Sequence, residues 1–346
     1  MKIAHVIWGL GIGGSESMLV DIVNEQSKTE DAHLIILNND IEKNLLSSVS
    51  KRVTCHLINR PRGSKNPFFI LVYNVFLLKI KPDTIHCHDE SLISFIFCNT
   101  FLKTKIVLTV HNINIPTVNF IKYHTLFSIS NAVKTDVLKN CGISTKTIYN
   151  GIKTSKINKK TNYSFDTFKV VQIGRLDIDQ KGQDILLKAL SILKKKYKVT
   201  NIYIDFIGDG DSKEYLINLA DRLKVKDMCS FSGKKSREYI YQHIYDYNLL
   251  VQPSRFEGFG LTVAEGMAAK VPVLVSNIDG PMEIIKNGSL GYYFKSQDSQ
   301  NCADKIISIM KNYHSTEIKE KVNKGCRHIE KTFNIQNTAQ EYLRQY

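Results

Sequence analysis

Short apolar runs, each closed by a glycine or polar turn and followed by a helical stretch, recur along nearly the whole chain. In the first half they lie at 2–8, 32–37, 53–58, 84–87, 105–110 and 125–129. Runs this short and this apolar suit strands, and helices between them allow parallel pairing. The alternation predicts a doubly wound parallel sheet. The stretch 154–167 is rich in Lys, Asn and Thr and reads as a linker. The pattern then restarts, with apolar runs at 168–173, 202–207, 229–232, 248–252, 271–276 and 291–294. Helices are expected at 91–101 in the first half and at 303–313, 317–331 and 338–346 near the end. The fold class is therefore α/β, with two doubly wound units.

Two such units fit within 346 residues. The formal net charge is +14, and its excess sits early: through Lys160 there are 20 Lys/Arg against 11 Asp/Glu. A basic excess suits an acidic partner, whether nucleic acid, anionic lipid or a phosphorylated substrate; lysine bias with solubility is the plainer alternative. No motif that reads nucleic acid is visible, so a nucleic-acid partner is not expected. Seven Cys without paired short spacing fit reduced thiols in the cytoplasm. No apolar run reaches the ~18 residues of a membrane span. The stretch 66–80 carries Phe68, Phe69, Leu71, Val72, Val75, Phe76 and Leu78 between Arg60, Arg62, Lys65 and Lys79, Lys81. It reads either as a core helix or as a face for an anionic membrane, peripheral at the inner surface. His86 and His88 point to one face of a strand. With no second ligand pair near in sequence, structural or substrate-lining histidines are favoured over a metal site.

Several loops carry chemistry. Glu257 and Glu265 stand eight residues apart around Gly258-Phe259-Gly260, between an apolar run and a small-residue helix. The backbone N–H groups of Leu261 and Thr262 at that helix start form an anion site. Arg175 and Lys181 flank one loop at a strand's carboxyl end, where they can hold a diphosphate or simply be surface charges. Gly208-Asp209-Gly210-Asp211 is a tight turn. Gly9, Gly11 and Gly14 match G-x-G-x-x-G between a strand and a helix. Asn38 and Asn39 replace the acidic residue expected after the second strand, with Asp40 nearest. That loop therefore binds phosphate or sugar without a nicotinamide, or is only a tight turn. His111 and Asn112 follow the strand 105–110, the end where open α/β sheets place ligand groups.

Together these motifs resemble the retaining glycosyltransferases of family 4, the glycosyltransferase group 1 domain. Glu257 to Glu265 resembles that family's E-x7-E. Gly174-Arg175-Leu176 with Lys181-Gly182 resembles its G-R-L and K-G. Gly208-Asp209-Gly210, Gly280-Pro281 with Glu283, and Gly288 with Gly291 follow its order. In the first half Gly13-Gly14-Ser15-Glu16 is similar to G-G-x-E, and Thr109-Val110-His111-Asn112 to T-x-H-D, with Asn112 where Asp is common.

The resemblance implies the GT-B fold, two Rossmann-like domains facing across a cleft. The expected boundaries are 1–160 for an acceptor-side domain, 161–334 for a donor domain, and about 335–346 as a helix returning to the first. It implies a nucleoside-diphosphate sugar, most simply UDP-linked, and a saccharide or lipid-linked acceptor in surface polysaccharide or glycoconjugate assembly. Configuration is retained, and neither metal nor other cofactor is needed. Glu257, Arg175, Lys181 and His111 are the expected catalytic residues. Gly13, Gly14, Gly208, Phe259, Gly260, Leu261, Thr262 and Glu265 are the expected donor-binding ones. Glu265 would hold the ribose, Glu257 the sugar, and His111 would lie near the donor sugar. A GT-B nucleotide-sugar epimerase and a nicotinamide-dependent Rossmann enzyme are the alternatives.

Overall fold

The inner apolar runs become strands buried along nearly their whole length, as strands covered on both faces are, while the runs that form sheet edges are more exposed. The computed structural model describes residues 1–11, 13–98 and 103–346. The chain forms two units, 1–151 with 335–346, and 152–334.

The first unit holds β1 (Lys2–Ile7), β2 (Asp31–Asn38), β3 (Thr54–Arg60), β4 (Thr84–Cys87), β5 (Lys105–Val110), β6 (Thr125–Ser128) and β7 (Lys146–Thr147). All pair in parallel, in the order β3-β2-β1-β4-β5-β6-β7. Its helices are α1 (Gly14–Gln26), α2 (Lys43–Ser47), α3 (Phe68–Ile80) and α4 (Asn131–Cys141). Ser130 caps α4 by accepting from the Val133 N–H at 3.1 Å. After β4 a short 3-10 helix, Glu90–Phe95, takes the place of the longer helix expected over 91–101. The last part of that expected helix falls outside the described residues.

The second unit holds β8 (Phe168–Ile173), β9 (Ile202–Ile207), β10 (Cys229–Gly233), β11 (Leu249–Gln252), β12 (Val273–Ser276) and β13 (Tyr292–Phe294). They are parallel, in the order β10-β9-β8-β11-β12-β13. Its helices are α5 (Ile178–Lys181), α6 (Gln183–Lys195), α7 (Lys213–Arg222), α8 (Arg237–His243), α9 (Leu261–Ala268), α10 (Asp279–Ile284), α11 (Ser299–Lys311) and α12 (Thr316–Thr332). Ile185, Leu186, Ala189, Leu190 and Leu193 of α6 form a helical stripe that packs with Val170, Ile204, Phe206 and Leu249 of the sheet. A further helix, α13 (Ile335–Gln345), belongs to the first unit and packs on α1.

The segment read as a linker is instead part of the second unit. The Asn158 N–H donates to Tyr241 O at 2.9 Å, the Lys160 N–H to Ala269 O at 2.8 Å, and the Tyr163 hydroxyl to Lys270 O at 2.8 Å. The division falls between Gly151 and Ile152, not at 160. Polar composition misleads here because two of these ties are donated by backbone N–H groups and all three end on backbone carbonyls, which side-chain type does not record. No helix among the described residues is long and apolar enough to cross a membrane.

Candidate active site

The strand order of the second sheet reverses between β8 and β11, which are neighbours. Loops leaving such a pair diverge, and the crevice at their carboxyl ends is where open α/β sheets bind ligands. The loop after β8 carries Gly174 and Arg175, then turns through α5 to Lys181. The loop after β11 carries Arg255 and Glu257, then enters α9. Chain topology thus joins motifs that are far apart in sequence.

Lys181 Nζ lies 2.5 Å from Glu257 Oε2, with both side chains largely enclosed. Arg175 is different. Its side chain is 67% exposed, touching Gln180 Oε1 at 3.2 Å and standing 4.0 Å from Asp177. Its carbonyl is fixed by Gln183 Nε2 at 2.8 Å, so the backbone is anchored while the guanidinium still presents donors outward. Gly208 and Gly182 set the spacing of these loops. A Cβ on Gly208 would collide with the Gly174 carbonyl, and one on Gly182 with the Pro253 carbonyl, and both residues have positive φ.

Gly260 begins α9 at φ +113°. The N–H groups of Val263 and Ala264 return to its carbonyl at 3.0 and 3.2 Å. Those of Leu261 and Thr262 have no partner among the described residues, so the helix start presents two donors and its positive dipole end. The Thr262 hydroxyl donates to Gln252 Oε1 at 3.2 Å, tying the helix start to the end of β11. Glu265 is buried, with its carboxylate 3.8 Å from Arg237 Nε of α8. Phe259 is buried edge-on against Phe333, with ring centroids 5.4 Å apart. Its ring therefore belongs to the core, and any donor contact from this residue falls to its backbone.

Sequence reasoning missed Arg255. Its guanidinium grips Asp184 through Nη1 at 2.9 Å and Nη2 at 3.0 Å and also donates to the Ile178 carbonyl. Its own N–H donates to Gln180 O at 2.8 Å. Burial raises the Asp184 pKa, but hydrogen bonds from Arg255 and Lys188 outweigh it and hold the carboxyl below its usual value. This pair clamps the Glu257 loop to the Lys181 loop. Its partners are 71 residues apart, and no local signal announces them.

The remaining site residues lie in the first unit. Gly13 precedes α1 and Gly14 opens it. The Glu16 carboxylate, which accepts from Ser15 Oγ at 2.7 Å, folds back over Gly13. The Asp40 carbonyl accepts the Leu10 N–H at 2.9 Å, while its carboxylate stands exposed 3.8 Å from Arg62. His111 follows β5, with Nε2 3.0 Å from His88 Nδ1. Burial pushes its pKa down to about 4 against a smaller opposing effect of Asp89, so the ring is neutral near pH 7. His86 and His88 do share a face, stacked with ring centroids 4.3 Å apart. His5 completes a buried group whose ligand-capable nitrogens fall within 4.8 Å. All six ring nitrogens of these three residues have hydrogen-bond partners.

Two Rossmann-like units, the second with a cationic, N–H-lined switch point, make up the GT-B fold. The chain belongs to the glycosyl transferases group 1 family, whose model matches residues 153–327. A second model, Glycosyltransferase Family 4, matches residues 12–156. Uncharacterized glycosyltransferase MJ1607 of Methanocaldococcus jannaschii is 25% identical over 303 residues, covering 77% of this chain and 75% of that protein. MJ1178 of the same organism is 26% identical over 219 residues, covering 62% of this chain and 58% of that protein. The putative glycosyltransferase EpsD of Bacillus subtilis is 28% identical, covering 60% of this chain and 53% of its own length. The chain thus spans little more than half of two of these relatives. Among solved structures, a Rickettsia africae glycosyltransferase superposes with a TM-score of 0.82 at 20% identity, covering 99% of this chain and 97% of that one. Anabaena HepE, in complex with UDP and glucose, gives 0.84 at 18% identity, covering 100% and 99%. At such identities the structural likeness establishes the fold alone.

Proposed function

We propose that this chain is a retaining glycosyltransferase that moves a hexose from a UDP-linked donor to a saccharide or lipid-linked saccharide. The observation that carries the reading is the switch point. The loops after the neighbouring strands β8 and β11 carry Arg175, Lys181 and the Leu261 and Thr262 N–H groups, a set suited to a diphosphate. The complexes of HepE with UDP-glucose and with UDP support a UDP donor. Likeness to the Staphylococcus aureus poly(ribitol-phosphate) alpha-N-acetylglucosaminyltransferase supports a polymer acceptor.

Breaking the bond from the anomeric carbon to the diphosphate oxygen sends the electron pair to the phosphate. Lys181, the Arg175 fork and the two N–H groups stabilise that charge, so the reaction needs no metal ion. Glu265 holds the ribose hydroxyls, with Arg237 fixing its position. Glu257 holds the sugar hydroxyls and steadies positive charge at the anomeric carbon. Gly13, Gly14 and Gly208 allow close approach of backbone, and His111 meets a sugar hydroxyl. The acceptor attacks from the leaving-group face, and the departing phosphate takes its proton.

A donor screen with several nucleotide sugars, scored by nucleoside diphosphate release with and without EDTA, tests this. Release from a UDP-sugar only with acceptor, insensitive to EDTA, is expected, with an α-linked product from an α-linked donor. Epimerised sugar without acceptor would point to the epimerase instead. Lys181→Ala should lower turnover by ~10²–10³; near-parental turnover would remove the diphosphate assignment.

A lipid-borne acceptor is favoured by α3. Phe68 is 59% and Leu71 63% exposed, and Val75 and Leu78 extend the same stripe. Only Tyr73, Asn74, Leu77 and Ile80 of this helix are buried. A basic-flanked apolar stripe suits an anionic bilayer surface. Flotation with anionic liposomes at low salt should carry the chain into the lipid fraction, and Leu71→Glu should release it.

A further inference from the structure

Five polar groups in the first unit form one continuous hydrogen-bonded chain. The Ala339 carbonyl of α13 faces Gln26 Nε2 at 3.5 Å, and Gln26 Oε1 faces His5 Nε2 at 2.7 Å. His5 Nδ1 faces His88 Nε2 at 3.1 Å, and His88 Nδ1 faces His111 Nε2 at 3.0 Å. His111 Nδ1 is buried and has no hydrogen-bond partner among the described residues.

The direction of this chain is fixed at its Gln26 end. A carbonyl only accepts, so Ala339 draws the amide nitrogen of Gln26 and turns Oε1 toward His5. His5 must then carry its hydrogen on Nε2, which makes Nδ1 an acceptor. A neutral imidazole has one donor and one acceptor, so the same assignment passes to His88 and then to His111. His5 and His88 are buried and held neutral by that burial, which keeps a second ring proton from breaking the sequence. His111 therefore ends with its N–H engaged and Nδ1 as a bare acceptor. It stands just past the carboxyl end of β5, and a buried acceptor without a donor is unfavourable until one arrives.

We propose that Gln26, His5 and His88 are positioning residues that lock His111 in the Nε2–H tautomer, so that Nδ1 accepts a hydroxyl hydrogen of the bound sugar. This rests on the reading of His111 as a sugar contact. Within it, neutral His111 has no hydrogen to give the leaving phosphate and acts only as an acceptor. The helix α13 sets this chemistry without touching the sugar, because its Ala339 carbonyl orients the first member of the relay.

The test is long-range proton–nitrogen correlation NMR on the full chain labelled with 15N-histidine, with His111 assigned by its loss in His111→Gln. The wild type should show His111 as a single Nε2–H tautomer. Gln26→Met, which removes the orienting amide at similar volume, should leave His111 a mixture of tautomers. The same variant should raise the donor KM about tenfold, the effect of losing one well-aligned hydrogen bond. Gln26→Glu, protonated in this buried site, can donate to Ala339 and accept from His5, and should restore both readouts. A wild-type His111 protonated on Nδ1, or an unchanged tautomer in Gln26→Met, would overturn the relay. The tautomer is read without turnover. If Lys181→Ala leaves transfer intact while His111 remains Nε2–H, the diphosphate reading fails and the relay stands.

Discussion

Lys181 faces two claims, one from the carboxylate it touches and one from the diphosphate it is proposed to hold. Glu257 Oε2 stands 2.5 Å from its Nζ. A charge-assisted bond at that distance must be loosened or shared before a phosphate oxygen gains full use of the ammonium. Glu257→Gln keeps the shape and removes the competing charge. It should tighten UDP binding roughly five- to tenfold, about 1 kcal/mol, while slowing transfer by ~10² through loss of the sugar-side charge. Calorimetric titration with UDP reads the first effect and turnover the second; unchanged UDP affinity would show that Glu257 does not restrain Lys181. The glycine turn that opens α9 was legible in the sequence, because Gly258-Phe259-Gly260 separates an apolar run from a small-residue helix, and so were Lys181 and Glu257 as charged residues on loops. Their pairing was not, since they are 76 residues apart and meet only through the β8–β11 neighbourhood. Glu265 shows the same limit: its place one turn into the helix could be read, but Arg237 beside it could not.

Loops and helices carry the next level of the argument. The loops after β8, β9 and β11 pack backbone against backbone, and glycine is what permits it. Gly208→Ala places a methyl against the Gly174 carbonyl and so pushes on the loop bearing Arg175. Overpacking of this kind costs typically ~1–3 kcal/mol, which lowers Tm by ~2–4 °C per kcal/mol in a unit of this size. The donor KM should rise as well. Gly63→Ala is the control, because it shares a positive φ but meets nothing within 4 Å; its cost is only the ~1–2 kcal/mol of left-handed backbone, with kinetics unchanged. Equal effects from both variants in thermal melts and kinetics would remove the proposed coupling between the loops and the site. Parallel strands alternating with helices were legible because burial on both faces leaves a continuous apolar signature in the inner strands; the strand order was not, because it depends on which strands meet across the sheet. The fate of α3 was not: its composition fits a core helix, yet most of its apolar stripe faces out, and composition cannot say which neighbour is missing.

At the scale of the whole molecule the two units differ in what they bury. The first encloses His5, His86, His88 and His111, all with lowered pKa because burial disfavours the charged ring. The second has one lowered histidine, the half-buried His328, and its strongest clamp is the carboxylate of Asp184. For a histidine depressed below its unfolded value of 6.5, the unfolded state takes up protons first as pH falls. The stability of keeping it neutral is complete above pH 6.5 and is lost progressively on the way down to about 4. Asp184 is also depressed, so its contribution is complete above the ordinary carboxyl value of 3.8 and is lost only as pH falls below that. The first unit should therefore weaken in acid before the second. The chain supplies its own reporter, since its single tryptophan, Trp8, sits in the first unit with its indole N–H 2.9 Å from Ser91 Oγ. Between pH 6.5 and 4 the urea midpoint read by Trp8 fluorescence should fall, while a later far-UV circular dichroism transition stays nearly fixed. His5→Gln should flatten the fluorescence trend, because it removes one of the rings that must stay neutral. Coincident transitions by the two probes at every pH would mean that the units unfold together and that the buried histidines act on the whole chain.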